Sequence, residues 1–180
     1  MPTCAEARPG ACPSCGAASQ PVGARCVVVG HGLVERQIRG PGEARGTPEQ
    51  VVVQLRRYRC RACRAVIVVG PRGLLRRRCY SAGSIALGLS LYAHGQTSPA
   101  VRAATSPARV IGSSAVERWV TLVRWVDAAQ RGELFGVQSV SGLGRRGVAE
   151  RVTLALAARA GHVFGADLSA SAFAGAAIAA

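Results

Sequence analysis

Four of the seven cysteines fall in two Cys-x-x-Cys pairs, Cys12 and Cys15 in ACPSCG and Cys60 and Cys63 in RCRACR. Two thiolates two residues apart grip one ion from a tight turn, and two such turns complete the tetrahedral set that zinc takes in structural sites. The pattern therefore predicts a Zn2+ ion held by Cys12, Cys15, Cys60 and Cys63. Gly16 follows the first pair and permits the positive backbone angle such a turn often needs. Arg64 stands at the equivalent place after the second pair, where a side chain is less readily accommodated. Cys4, Cys26 and Cys79 have no partner at ligand spacing and read as small buried or idle thiols, with Cys26 the nearest competitor for a ligand place. His31, between Gly30 and Gly32, reads as a turn residue.

The second cysteine pair lies in the most basic part of the chain. The 23 basic residues face 9 acidic ones, and all 23 are arginine. A coding bias toward GC-rich codons would also remove lysine, so the missing lysine marks no site, but the net charge of +14 still requires a partner class. Residues 1–30 carry net +1, residues 31–80 net +9 and residues 81–180 net +4. Charge this one-signed and clustered is the footprint of a polyanion binder. Arginine's planar fork suits phosphate and guanine edges. The candidate DNA contacts are Arg56, Arg57, Arg59, Arg61, Arg64, Arg76, Arg77 and Arg78, the last three being adjacent and so expected at the surface.

Several other chemistries find no support in the residues. Without lysine there is no phosphate-binding Gly-Lys loop of the usual kind. His31, His94 and His162 are isolated, so no Ser-His-acid set is announced. No uninterrupted apolar run reaches the roughly 18 residues of a membrane span, and the first residues lack the apolar stretch of a secretion signal. A reducing cytoplasm, thiolates bound to metal rather than disulfides, and no membrane partner are the expectation.

The elements that must position these residues read as α+β, a small β-rich zinc ribbon followed by a helical, helix-turn-helix-like domain. Residues 1–11 form a loose N-terminus, 12–72 the ribbon and 73–79 a basic linker. Residues 80–130 are the helical domain, and 131–180 an Ala-rich segment, partly helical or disordered. Within the ribbon, Cys26 to Ile38 reads as two short strands around Gly30-His31-Gly32, and 40–49 (GPGEARGTPE) as a loop. Val51 to Cys60 reads as a strand that Ala65 to Val69 joins antiparallel after the second cysteine turn. Forty-four residues separate Cys15 from Cys60, more than a compact zinc module needs, and the surplus falls in that loop.

Ser81 caps a helix to Ala93 with Ile85, Leu89 and Tyr92 on one face, and Ser98 caps a second helix through Ala104 with Pro99 in its first turn. Ser114-Ala115-Val116-Glu117 has the form of a capping box for a third. Val116, Trp119, Val120, Val123 and Val126 form its apolar stripe, Trp119 and Trp125 are core anchors, and Arg118 and Arg124 lie on the outer face, placed to approach DNA. Farther on, 139–147 reads as a loop and Val148 to Ala160 as a helix.

Cys12-Pro13-Ser14-Cys15-Gly16, Arg56-Arg57-Tyr58-Arg59-Cys60-Arg61-Ala62-Cys63 and the helical stretch ending in Glu117-Arg118-Trp119 together resemble the N-terminal zinc-binding and helix-turn-helix regions of bacterial insertion-sequence transposases and of small standalone proteins related to them. The likeness covers roughly residues 12–126. It implies metal binding at Cys12, Cys15, Cys60 and Cys63 and recognition of DNA ends by the two modules. Such transposases cut DNA with three carboxylates holding two metal ions on a ribonuclease-H-like sheet. Here only Asp127, Glu133, Glu150 and Asp167 follow the stretch that carries the resemblance, without strand pattern. The expectation is a recognition module lacking the catalytic domain, not an enzyme, acting on double-stranded DNA and compatible with a homo-oligomer. Two alternatives stand beside it, a zinc-ribbon adaptor for a protein or ribonucleoprotein partner and a DNA-binding transcription regulator.

Overall fold

The structure is a computed structural model and describes residues 3–113, 118–138, 142–161 and 167–179. It is mixed α+β, with a three-stranded antiparallel sheet and five helices among the described residues. The chain forms two compact units, one of Met1–Gln37 with Val52–Pro71 and one of Ile38–Val51 with Arg72–Ala180. Residues 38–51, read from sequence as part of the ribbon, thus belong to the second unit.

The sheet has the order β1-β2-β3, with β1 spanning Val28–Gly40, β2 Glu49–Cys60 and β3 Val66–Val69. β1 is one continuous strand, not two strands broken at Gly30-His31-Gly32. Gly30 marks close approach, since a Cβ there would lie 2.8 Å from Cys4 Sγ, while Gly32 supplies a left-handed backbone angle, φ 86°, within the strand. β2 and β3 pair as expected, with Arg56 opposite Val69, Arg57 opposite Val68, Tyr58 opposite Ile67 and Arg59 opposite Val66. Side chains alternate across a strand, so Tyr58 and Ile67 share one face and Arg57, Arg59, Val66 and Val68 the other. The first face is closed over a small core of Cys12, Val28, Tyr58, Cys60 and Ile67.

In the second unit the helices are α1 (Ala82–Ala93), α2 (Ser98–Thr105), α3 (Val120–Gln130), α4 (Arg145–Ala160) and α5 (Leu168–Ala179). Ser81 caps α1 as expected, accepting a hydrogen bond from the Ser84 N–H. α1 is nevertheless buried on all sides from Ala82 to Ser90, not on one face. Its small residues permit this. A Cβ on Gly83 would lie 2.7 Å from the Phe173 ring, and one on Gly88 2.8 Å from Trp125. Residues 80 to 179 contribute to a single core, so the segment after 130 is part of the helical unit.

Three helix starts differ from the sequence reading. Thr97, not Ser98, caps α2, its hydroxyl accepting from the Ala100 N–H, and Pro99 still falls in the first turn. Ser114 to Glu117, the expected capping box, lie outside the described residues, and α3 begins at Val120 with no side-chain cap. The buried residues of α3 include Leu122, Trp125, Val126 and Ala129, with Trp119 beside them, whereas Val120 is exposed and Val123 half-buried. The expected stripe thus holds at Trp119 and Val126 and fails at Val120 and Val123, with Leu122 and Trp125 completing the buried face, while Val116 lies outside the described residues. Trp119, Trp125 and Tyr80 meet edge to face with centroids 5.0–5.9 Å apart, contacts worth about 0.5–1.5 kcal/mol per pair beyond their area. α4 starts at Arg145, earlier than the expected Val148; residues 139–141 of the expected loop lie outside the described residues.

Candidate metal centre

The two Cys-x-x-Cys turns have the same backbone. In the first, the Cys12 N–H donates to the Ala17 carbonyl at 2.8 Å and the Gly16 N–H to the Cys12 carbonyl at 2.8 Å. In the second, the Cys60 N–H donates to the Ala65 carbonyl and the Arg64 N–H to the Cys60 carbonyl, both at 2.9 Å. The residue after the second cysteine is left-handed in both, with φ of 72° at Gly16 and 63° at Arg64. Arg64 thus adopts the conformation that glycine takes for less cost. The doubt raised by a non-glycine residue there is removed by the geometry itself.

The leading cysteine of each turn, Cys12 or Cys60, is buried, and the trailing one, Cys15 or Cys63, is exposed. Each buried thiol faces the exposed thiol of the other turn, with Cys12 Sγ 3.7 Å from Cys63 Sγ and Cys15 Sγ 3.8 Å from Cys60 Sγ. All four sulfurs lie within 4.8 Å of one another. A metal ion at about 2.3 Å from each sulfur sets the edges of its tetrahedron at roughly 3.8 Å. Disulfides need sulfurs at about 2 Å, and these separations are far too long for that. An iron–sulfur cluster places several irons between its thiolates and needs wider spacing. The set is sized for one ion, so these four cysteines could hold a metal.

Backbone donors surround the sulfurs. The N–H groups of Ser14 and Cys15 point at Cys12, with Ser14 the stronger influence, and draw its thiol down to about 6 despite desolvation. Cys15 also receives an N–H, from Ala17, but the neighbouring Cys63, Cys12 and Cys60 thiols together with desolvation outweigh it and push Cys15 up to about 12. Four thiols this close cannot all ionise unless a cation offsets their mutual repulsion. The fixed N–H groups are the outer donors expected around metal thiolates.

The sheet carries this centre. Cys60 ends β2, and the Arg61 N–H donates to the Val27 carbonyl at 2.8 Å, fastening the second turn to the segment before β1. Tyr58, two residues before Cys60, is fully buried and donates its hydroxyl to the Cys4 carbonyl at 2.7 Å. Its burial raises its pKa. Alternation along β2 assigns this tyrosine a face without saying which face is covered; its place two residues before Cys60, and so on the same face, is the signal that could have found it. Of the leftover cysteines, Cys26 donates to the carbonyls of Val28 and Ser19 at 3.1 and 3.3 Å and stands outside the four-thiol set. Cys4 packs against the small core, and Cys79 is exposed.

The arginines proposed for DNA are not equivalent. Arg59, Arg61 and Arg64 are exposed and Arg57 half-buried, all on the first unit. Arg56 is half-buried and has a partner within the protein. On the second unit, Arg76, Arg77, Arg118 and Arg124 are exposed, whereas Arg78 is half-buried and partnered, so the triple-arginine run is not uniformly free at the surface. The chain matches no family model, no curated protein and no solved structure.

Proposed function

We propose that this chain is a zinc-stapled DNA-binding module without catalytic activity of its own, related in design to the recognition region of insertion-sequence transposases. Zinc fits the tetrathiolate because it imposes no geometry of its own beyond the tetrahedron the turns already provide. Its contribution is structural, a cross-link between two turns 45 residues apart in sequence. A unit whose core is five residues, two of them ligand cysteines, has little else to hold it.

The observation that carries the DNA reading is the pairing of that staple with a one-signed run of charge in the sequence. No acidic residue occurs between Glu49 and Glu117, a stretch that includes β2 after its first residue, the cysteine turn and β3. Arginine forks fixed on a metal-held hairpin suit the phosphates of a duplex. Zinc-loaded protein is expected to bind double-stranded DNA with an affinity that falls steeply as salt rises, and to lose binding when the metal is removed. Titration of labelled duplex DNA across a salt series, with and without chelator, tests this. Binding that ignores salt, or none at low salt, would sink the proposal.

A further inference from the structure

The sheet of the first unit has one face without a cover. Val28 lies in the small core and Gly30 backs onto Cys4, so the alternate residues of β1, among them His31 and Leu33, point to the opposite side. Arg57 and Arg59 of β2 and Val66 and Val68 of β3 share that side by register. Leu33, Val66 and Val68 are 47%, 50% and 52% exposed. Farther along the same face Leu55 is buried, so the open part is the end nearest the cysteine turns. Glu35 is the acidic residue of β1 and shares this face by alternation.

Resting on the DNA-binding reading above, we propose that this open face enters the major groove of duplex DNA and reads base edges there, with Arg57 and Arg59 on guanine and Val66 and Val68 against thymine methyl groups. The chemistry selects that occupant over others. The first unit holds eight arginines and two glutamates, so its partner is anionic. The first unit has no Trp or Phe and its one tyrosine, Tyr58, is fully buried, so His31 is the one ring on this face and there is no row of aromatic side chains on which successive single-stranded bases stack. The major groove of an RNA duplex is too deep and narrow for side chains to read. In B-DNA the major groove, about 12 Å wide, accepts a two-stranded ribbon whose strands lie about 4.8 Å apart, which is the β2-β3 side of this sheet, with β3 at the edge and β1 behind β2. It also presents the guanine O6 and N7 acceptors that an arginine fork matches and the thymine methyl that a valine meets. Alternation of arginine and valine on one rigid face supplies both contacts.

The experiment uses the full zinc-loaded chain and a duplex selected from random sequence, with an unselected duplex as reference. Replacing guanine by 7-deazaguanine removes the major-groove N7 acceptor and leaves the protein untouched. Wild-type protein is expected to lose roughly tenfold or more in preference for the selected duplex. The Arg57→Gln/Arg59→Gln variant, checked for full zinc content, is expected to have lost that preference already and to show little further response to 7-deazaguanine. Arg76→Gln/Arg77→Gln, on the other unit, is expected to weaken both duplexes alike. Wild-type binding indifferent to 7-deazaguanine, a selected duplex without guanine, or sheet-face variants that weaken all sequences equally would overturn the inference while leaving DNA binding intact. Failure to bind any duplex would overturn both.

Discussion

Tyr58 shows how one side chain serves the metal centre without touching it. Its hydroxyl satisfies the Cys4 carbonyl, and its ring fills the face of the sheet beside Cys60. Tyr58→Phe keeps the ring and strands the carbonyl, and is expected to lower the stability of the zinc-loaded first unit by about 1–2 kcal/mol with metal content unchanged. A urea titration followed by the β signal checks this, and loss of metal instead would give Tyr58 a larger part than packing. At this scale the cluster of Cys12, Cys15, Cys60 and Cys63 was legible because the paired spacing sets these four apart from the other three cysteines. Tyr58 was not, because alternation along β2 assigned it a face without saying which face was covered. Arg64 was read against its actual role, since its left-handed backbone is imposed by the hydrogen bonds of the turn and not by its own preference.

Among the elements, α5 was the least legible. Its sequence, LSASAFAGAAIA, is small and apolar on every side, so no stripe tells a docked helix from a loose tail. The structure docks it through close approach, with Gly175 lying so near the Leu156 carbonyl of α4 that any Cβ there would collide. Asp167 starts it, its carboxylate accepting from the Ala170 N–H at 2.7 Å and pairing with Arg45 at 3.3 Å. The Ala170 hydrogen bond, followed by Arg45, holds the Asp167 carboxyl below its ordinary range. A depressed carboxyl stabilises the fold above its unfolded value, about 3.9, and that contribution is lost as pH falls through the lower folded value. Asp167→Ala is expected to cost about 1 kcal/mol at neutral pH, with the difference from wild type shrinking once pH drops below 3.9. Thermal melts at pH 7 and in acid measure it; an equal difference at both would show that the charge plays no part. α1 was legible from its Ser81 cap and α2 from Pro99 in its first turn, though its cap is Thr97, whereas the stripe of α3 was legible at Trp119 and Val126 and misjudged at Val120 and Val123.

The whole molecule combines two units with separate cores, one of Cys12 and four residues of the small sheet and one drawn from residues 80 to 179. The sequence announced two parts from the shift in composition near residue 70, but not that Ile38–Val51 returns to the helical one. Gly40 explains that return, for it lies under Ser84 where any side chain would clash, and the Ser81 N–H donates to the Arg39 carbonyl at 3.1 Å. Such close backbone approach leaves no periodic trace. Because the cores are separate, the metal is expected to govern one and spare the other, and the proposed DNA binding through the first unit is expected to be lost with it. The most direct test of the account is metal analysis of the purified chain beside Cys60→Ser, with far-ultraviolet circular dichroism of both. The account predicts one zinc per wild-type chain, loss of zinc in the variant, and a helical signal that survives that loss. Wild-type protein free of metal, with four freely reactive thiols at Cys12, Cys15, Cys60 and Cys63 and an undiminished β signal, would contradict it.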